Sequence, residues 1–173
     1  MDDLISKAAK YGYLSLVIYS LKKGADITKH SPQASLQWAC LEGYLDIVKC
    51  LVGNIFIPSN YHSLISAIHG GQCKVVECLV ENGFNIHLHE NKPLRLASST
   101  GRYEIVKCLI EKEADIRDKT DYSIRVASRN GHLKIVQYLI ENGADIHAKN
   151  NYCLQWATKN RHYSVVNYIQ TLF

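Results

Sequence analysis

The sequence predicts an all-α protein built as a solenoid of about six helix-turn-helix units. Three observations carry this prediction: the 173-residue chain repeats itself with a period near 30 residues, each copy holds two apolar segments with helical spacing, and a glycine separates the two segments. Periods of 20 to 50 residues are typical of stacked repeats. A 30-residue unit cannot bury two apolar faces alone, so we expect its stability to come from the interfaces between neighbouring units.

The repeat is marked by an alanine four residues before a glycine. Successive alanines are 31, 28, 30, 30 and 30 residues apart, and Arg161 takes the sixth glycine place. These spacings predict a single domain, 1–173, with units at about 1–30, 31–59, 60–89, 90–119, 120–149 and 150–173. The alanines are Ala8, Ala39, Ala67, Ala97, Ala127 and Ala157, and the glycines are Gly12, Gly43, Gly71, Gly101 and Gly131.

The fifth unit shows why each copy should form two helices. Its first segment, "YSIRVASRN" at 122–130, has the spacing of a short helix with one buried side, and Gly131 can adopt the positive φ that ends it. The second segment, "LKIVQYLI" at 133–140, has the i, i+3, i+4, i+7 spacing of a buried stripe. Gly143 then closes the second helix.

A short helix followed in order by Gly-His-Leu, Ile-Val, Leu-Ile and Gly-Ala-Asp-Ile resembles the ankyrin repeat. Six copies in phase extend this resemblance over nearly the whole chain. The resemblance implies that the first helices and short turns line a concave side, that the second helices form the convex back, and that the function is non-enzymatic protein recognition.

The chain departs from the family pattern in two ways. The Thr-Pro-Leu-His start survives only partly, as "KPLRLA" at 92–97, while other units read "YSIRVA" and "YCLQWA", and Arg or Gln takes the histidine place. The period is about three residues shorter than the roughly 33 of the family, so we expect shortened loop fingers. Units of this length are similar to those of ankyrin proteins from large DNA viruses that infect amoebae, which implies a viral adaptor acting on a host protein.

Two places break the regular pattern. The second unit is two residues short at 51–60 and contains Pro58, so we expect an irregular turn there. The last unit stops at 162–173 without its closing glycine, which leaves an open edge. Self-association through this edge and a longer original array are both open alternatives.

Composition narrows the function classes. The net charge of +4 is too mild to indicate nucleic-acid binding without clustering of the basic residues. No apolar run approaches the roughly 18 residues of a membrane span, and the first ten residues do not resemble a signal peptide. We therefore expect no membrane partner and a cytoplasmic location, which is the host cytoplasm if the protein is viral.

The cysteines and histidines are expected to be structural. Cys50, Cys78 and Cys108 fall at one repeat position, where tyrosine stands in other units, and no C-x-x-C pair occurs. "HLH" at 87–89 lies on a turn without a third ligand, whereas His132 should hydrogen-bond the neighbouring unit's backbone. Neither a nucleophile motif nor a phosphate loop is present, so we expect no catalytic, cofactor-binding or metal-binding residues.

The candidate partner site consists of first-helix positions whose residue type varies between units. Sequence variation of this kind is tolerated where the stack does not need a particular residue. We call the following set the first-helix row: Lys10, Tyr11, Gln37, Leu41, His69, Arg95, Ser99, Arg125, Arg129, Asn130, Gln155 and Lys159.

The charge of these positions predicts the partner. Eighteen variable first-helix places, which also include Gly70, carry five basic residues and a single acid, Glu42. We expect an acidic protein segment to lie across units four to six, where Arg129 and Lys159 should point into solvent and arginine forks can grip carboxylates. Alternatives from other classes are a nucleic-acid-binding solenoid with a basic inner face and a self-assembling structural protein.

For two pairs of residues the sequence leaves two interpretations open. Arg95 and Arg125 stand at the family's histidine place and are either partner contacts or tied to neighbouring turns, for instance to Asp118 or Asp121. Trp38 and Trp156 share one repeat position and either pack between units or form partly exposed aromatic anchors for a partner, to which Tyr152 would add apolar area.

Overall fold

A computed structural model describes residues 2–24, 32–54 and 61–172. Within these ranges the chain forms twelve helices and no strand, which confirms the all-α class. Its contacts divide it into two compact units, Met1–Asn85 and Ile86–Phe173, and each is described by itself. No helix in the described ranges is long and apolar enough to cross a membrane. The predicted irregular turn at 51–60 falls mostly on residues outside the described ranges.

The helices come in pairs, as the repeat predicts. Each pair has a first helix and a second helix joined by a tight turn, and the odd-numbered helices are the first helices. In chain order the helices are α1 Asp2–Lys10, α2 Leu14–Lys22, α3 Pro32–Glu42, α4 Leu45–Asn54, α5 Tyr61–Gly70, α6 Cys73–Glu81, α7 Leu88–Ser99, α8 Tyr103–Glu111, α9 Asp118–Arg129, α10 Leu133–Glu141, α11 Ala148–Lys159 and α12 Tyr163–Gln170.

Packing within each unit follows the repeat order. In Met1–Asn85, α1 packs on α3 and α3 on α5, while α2 packs on α4 and α4 on α6. In Ile86–Phe173, α7, α9 and α11 pack in the same way, as do α8, α10 and α12. Each first helix also packs on its own second helix, so both apolar faces are covered by neighbours, as expected for stacked repeats.

The alanine that marks the repeat is a core residue in every copy. All six of these alanines are at most 1% exposed. At positions this buried a larger side chain would have to displace its neighbours, so a small residue suits the close approach of the helices. Apolar residues of the second helices, such as Ile135, Val136 and Leu139 of α10, complete the core.

The turn between the two helices of a pair requires a left-handed residue. Gly131 has φ of +79°, and a Cβ added to it would lie 2.5 Å from Nδ1 of His162. Gly143, at φ +94°, ends the second helix of the same pair, as predicted. Arg161 and Glu113 occupy equivalent places without being glycine and still have φ of +62° and +66°. The stack therefore imposes the left-handed conformation even where the sequence does not favour it.

Each first helix of Ile86–Phe173 begins with an unusual backbone conformation that was not predicted from the sequence. Three successive non-glycine residues are left-handed, with φ between +47° and +60°, and the right-handed helix starts directly after them. We call these segments, 89–91, 119–121 and 149–151, the left-handed turns. They lie in the shortened part of the repeat, between the end of one second helix and the next first helix.

The third residue of a left-handed turn connects one repeat to the next. Asp121 is 3% exposed, and its Oδ1 accepts a hydrogen bond of 2.8 Å from the backbone N–H of Asp145 in the following repeat. Asn91 accepts from the N–H of Asp115 in the same way, at 3.3 Å. Asn151 ends the third turn and is exposed. The side chains of Asn91 and Asp121 thus link successive turns, whereas that of Asn151 makes no such link within the described ranges.

Candidate functional site

Members of the first-helix row differ in their solvent exposure. In Ile86–Phe173 the exposed members are Arg129, Asn130, Gln155 and Lys159, the half-buried ones are Arg95 and Ser99, and Arg125 is buried. In Met1–Asn85 the exposed members are Tyr11 and His69, and the half-buried ones are Lys10, Gln37 and Leu41.

The residues at the family's histidine place hold the left-handed turns. Arg125 donates from Nε to the carbonyl oxygen of Thr120 and from Nη2 to that of Lys119, both at 3.0 Å. Arg95 donates from Nη1 to the carbonyl oxygen of Glu90 at 3.1 Å, and Gln155 donates to that of Asn150 at 2.7 Å. Long donors replace histidine here because they must reach back five or six residues to a tightly wound turn.

Both arginines are tied to turns, as one of the two interpretations predicted. The acceptors, however, are backbone carbonyl oxygens and not the carboxylates of Asp118 or Asp121 that the sequence suggested. A carbonyl in a left-handed turn has no partner within a helix, so a donor from the side chain satisfies it. Asp121 instead pairs with Arg117, whose Nε lies 3.9 Å from Oδ2.

Aromatic rings surround the guanidinium of Arg125. Its Cζ lies 5.1 Å from the ring centroid of Tyr122 and 5.1 Å from that of Tyr152, and the residue is 5% exposed. The Cζ of Arg95 also lies 4.9 Å from the ring centroid of Tyr122, so two guanidinium groups contact this ring. Contact distances of this kind favour a cation over an aromatic face. Arg125 is therefore a packing residue in this structure, and its guanidinium does not face solvent.

The charge of Arg95 is partly offset by the carboxylate of Glu90, which lies outside the first-helix row. Oε2 of Glu90 lies 3.7 Å from Nη1 of Arg95 and in contact with Nζ of Lys119. The hydrogen bond from Lys119, and then the nearby positive charges, hold the pKa of Glu90 below its usual value. Glu90 is fully exposed, so this pair contributes little to stability.

Two polar side chains of the stack join at one carbonyl oxygen. Nδ2 of Asn130 donates to the carbonyl oxygen of Ser99 at 2.8 Å, and Nε2 of His132 lies 3.0 Å from the same oxygen. This confirms the predicted backbone role of His132. In the next repeat, Asn160 donates to the carbonyl oxygen of Arg129 at 2.7 Å. The amide of Asn130 is thus already engaged within the stack.

Arg129 and Lys159 are the exposed cations of the row in Ile86–Phe173. Cζ of Arg129 lies 4.9 Å from the ring centroid of Trp156, and Nζ of Lys159 lies 4.4 Å from it. The Trp156 ring also lies 5.4 Å from that of Tyr152. We call Arg129, Trp156 and Lys159 the Trp156 cluster. Both cations are exposed, as predicted, but they rest on an aromatic face and do not extend freely into water.

Met1–Asn85 contains the equivalent of this arrangement with a different composition. Nζ of Lys10 lies 4.5 Å from the ring centroid of Trp38 and 5.6 Å from that of Tyr11. Trp38 is 38% exposed and Tyr11 is 59% exposed. Lys10 and Arg129 occupy the same repeat position, as do Trp38 and Trp156. Both tryptophans are thus partly open and in contact with a cation, which favours the anchor interpretation over pure packing.

Gly70, one of the eighteen variable first-helix positions, has no room for a side chain. Gly70 ends α5, and a Cβ added to it would overlap the carbonyl oxygen of Leu41 on α3. The first helices approach too closely there for any side chain. Leu41 also accepts a hydrogen bond from Nε2 of Gln72 at 3.2 Å. Gly70 is therefore a packing position rather than an open one.

The cysteines behave as core residues. All six are thiols, and Cys40, Cys78, Cys108 and Cys153 are buried. Burial raises the pKa of the Cys153 thiol to about 11, so the thiol stays protonated near neutral pH. No group of three or more histidine, cysteine or acidic side chains that could hold a metal ion occurs within the described ranges.

Comparison with known proteins identifies the repeat. A family model described as ankyrin repeats, in three copies, matches residues 5–90, 36–120, 64–150 and 94–171. The solved crystal structure of the human ASB11 ankyrin repeat domain matches with a TM-score of 0.81 and 21% identity, over 96% of this chain and 82% of that one. At this identity the likeness shows the fold alone. No curated protein sequence matches the chain.

Proposed function

This chain belongs to the ankyrin-repeat family, and from that membership we propose that it is a non-enzymatic module that binds a partner protein through its first-helix row. Ankyrin repeats are in general protein-interaction modules. The finer proposal is that the partner presents an acidic segment and that the main contact is made in Ile86–Phe173.

The observation that carries the proposal is the Trp156 cluster. Two exposed cations share one aromatic ring, and within the described part of the chain neither takes part in an ion pair. Aromatic and arginine side chains are the residue types that most often dominate binding energy at protein interfaces. An acidic segment would supply the missing carboxylates, and the tryptophan would supply apolar area at the centre of the contact.

The other members of the row have graded roles in this proposal. Arg95 and Gln155 remain accessible at the edge of the left-handed turns, whereas Arg125 supports the site from beneath by holding its turn. Lys10, Tyr11 and His69 belong to a separate surface on Met1–Asn85. We propose that this surface adds affinity through its exposed rings and one charge, without setting the preference for acid.

The length of the repeats supports a more specific proposal about the role of the protein. We propose that the protein is a viral adaptor that acts on a host protein in the host cytoplasm, by similarity of its 30-residue units to those of amoeba-infecting DNA viruses. Self-association through the last repeat is a second candidate, favoured by Asn151, Tyr163 and Leu172. Asn151 is exposed where Asn91 and Asp121 bind the next repeat, and Tyr163 and Leu172 are 63% and 44% exposed.

Capture from a cell lysate with three matched proteins tests the partner proposal. The first is the wild type, the second carries Arg129→Glu and Lys159→Glu, and the third carries Lys107→Glu and Lys134→Glu, two exposed lysines on second helices. All captures are treated with nuclease and identified by mass spectrometry. We expect a protein with an acidic segment to bind the wild type and the third protein but not the second.

The melting temperature of the second protein should stay within a few degrees of wild type, because exposed substitutions change stability little. If that protein retains the same partner at similar affinity, the first-helix row of Ile86–Phe173 is not the binding site. Loss of the captured material on nuclease treatment, together with a steep fall of affinity with salt, would favour the nucleic-acid alternative. A mass that rises with concentration in light scattering would favour self-association.

A further inference from the structure

The Trp156 cluster has the charge and arrangement of a site for a dianion. Cζ of Arg129 and Nζ of Lys159 lie 4.9 and 4.4 Å from one ring centroid, so the two charges are at most 9.3 Å apart. Two exposed like charges within this distance repel weakly in water, and an anion bound near both would relieve that repulsion. The ion pairs of the described residues involve other basic side chains and leave these two cations without a carboxylate.

The structure also sets the spacing of the two helix ends that carry the cations. Arg129 ends α9 and Lys159 ends α11, and the hydrogen bond from Asn160 Nδ2 to the carbonyl oxygen of Arg129 fixes one helix end against the other. Packing of Tyr152 against Trp156 restrains the ring on which both cations lie. Restraint before binding lowers the ordering cost of capturing a ligand.

Neighbouring hydrogen-bond donors are already in use. The amide of Asn130 is bonded to Ser99, that of Asn160 to Arg129, and the hydroxyl of Thr158 to the carbonyl oxygen of Leu154. Recognition at the cluster therefore depends on its two cations and its ring rather than on a network of neutral donors. Such a site selects its ligand mainly by charge, and it favours a group whose charge matches two cations.

We propose that the Trp156 cluster binds a phosphorylated side chain within the acidic segment of the partner, an inference that rests on the proposed function. A phosphate monoester carries a charge of about −1.5 to −2 at pH 7 and three acceptor oxygens, whereas a carboxylate carries −1. Its oxygens can accept charge-assisted hydrogen bonds of about 2.7–2.9 Å from the guanidinium and the ammonium group together. Phosphorylation of the partner would then strengthen the complex.

A fluorescence titration tests the proposal, because the chain has two tryptophans and one of them lies in the cluster. Trp38→Phe leaves Trp156 as the only indole. The probes are three synthetic peptides of eleven residues, rich in Glu and Asp, which differ only at the central residue: phosphoserine, glutamate or serine. Inorganic phosphate is titrated alone as a fourth probe.

The phosphoserine peptide should change the Trp156 emission and bind about tenfold more tightly than the glutamate peptide, since one added charge-assisted bond has about that effect. Arg129→Gln with Lys159→Gln should remove this preference, and the matched variant Lys107→Gln with Lys134→Gln should keep it. Inorganic phosphate should bind far more weakly than the phosphoserine peptide, because it lacks the flanking acidic residues.

Three results would overturn the phosphate inference. The first is equal binding of the phosphoserine and glutamate peptides, the second is a preference that survives Arg129→Gln with Lys159→Gln, and the third is inorganic phosphate binding as tightly as the phosphoserine peptide. If both charged peptides bind alike and both are lost in the neutralised variant, the acidic-segment proposal stands and only the phosphate preference fails. If no peptide binds the wild type, the phosphate inference fails and lysate capture alone decides the proposed function.

Discussion

Arg125 and Arg129 lie one turn apart on α9 but belong to different environments. The guanidinium of Arg125 donates to the carbonyl oxygens of Lys119 and Thr120 and is 5% exposed. The guanidinium of Arg129 is exposed and lies over the ring of Trp156. Arg125 lies near the left-handed turn at the start of α9, which we call the turn end of a first helix. Arg129 is the last residue of α9, which we call the open end.

This difference teaches that a variable basic residue in a repeat is not by itself a binding residue. Both positions vary between units, and both carry arginine in the fifth unit. The turn end uses the charge to satisfy backbone carbonyls that no helix bond can reach, whereas the open end leaves its charge available. The experiments below test that division, in order of decreasing expected effect.

Removing the buried guanidinium should have the largest effect on stability. Arg125→Ala leaves two turn carbonyls without their donor and removes a side chain packed between two tyrosine rings, so we expect a loss of about 2–4 kcal/mol in the free energy of unfolding. Arg129→Ala should cost less than about 0.5 kcal/mol. Urea unfolding of both variants checks this, and similar losses at the two positions would contradict the division.

The buried thiol of Cys153 should react slowly in the folded protein. Burial raises the pKa of Cys153 from 9.0 to about 11, so at pH 8 its thiolate fraction is about a hundredfold lower than that of an unperturbed thiol. Cys50 on α4 and Cys73 on α6 are the two half-buried cysteines and should react before the four buried ones, so Cys50→Ser with Cys73→Ser should remove the fastest phase. Native labelling with a thiol reagent and mass spectrometry measures the order.

The sign of the pH effect at Cys153 follows from the raised pKa. The folded state disfavours the thiolate, so the contribution of this group is fully present below the unfolded pKa and is lost as pH rises towards about 11. Labelling of all six cysteines after unfolding is the control for reduced thiols. Early labelling of Cys153 at pH 8 would show that the turn end opens readily.

The side chain that links successive turns should have a smaller but clear effect. Asp121→Ala removes the acceptor for the backbone N–H of Asp145 and leaves that donor unpaired, with an expected loss of about 1.5–3 kcal/mol. Asn151→Ala is the matched control, because its Oδ1 contacts Nδ1 of His147 at an exposed site and makes no hydrogen bond to another repeat within the described ranges. We expect a loss of about 0.5 kcal/mol there. Equal losses would show that the inter-turn bond does not contribute.

The smallest effect is expected where two donors share one acceptor. Asn130→Ala and His132→Ala each remove one hydrogen bond to the carbonyl oxygen of Ser99, and the remaining donor still satisfies that oxygen. Each single change should therefore cost about 0.5–1 kcal/mol, and the double change should cost more than the sum. A double-mutant cycle by urea unfolding measures the coupling, and strict additivity would contradict shared satisfaction.

The sequence allowed prediction of the repeat and its helices because those depend on local physics. The spacing of Ala127 and Gly131, with a buried stripe at 133–140, predicts two helices and the left-handed residue between them, and the structure has all three. Periodicity and glycine tolerance act within one repeat, so they can be read from consecutive residues.

The left-handed turns were not predicted, although the sequence contains a signal for them. An Asn or Asp recurs at 91, 121 and 151, each time four residues before the Arg or Gln at the family's histidine place. Three successive left-handed residues are locally unfavourable, so local preferences would not suggest them. They persist because donors from the following helix and from the next repeat satisfy their polar groups.

The sequence by itself determined the all-α class, the number and phase of the helix pairs, and the set of basic side chains on the first helices. Only the tertiary structure decided which of those side chains are open. Whether a guanidinium is buried depends on carbonyls five residues away in a left-handed turn and on rings about thirty residues away in the next repeat. Arg125 and Arg129 are the same residue type, and the contacts that separate their roles exist only after the repeats have stacked.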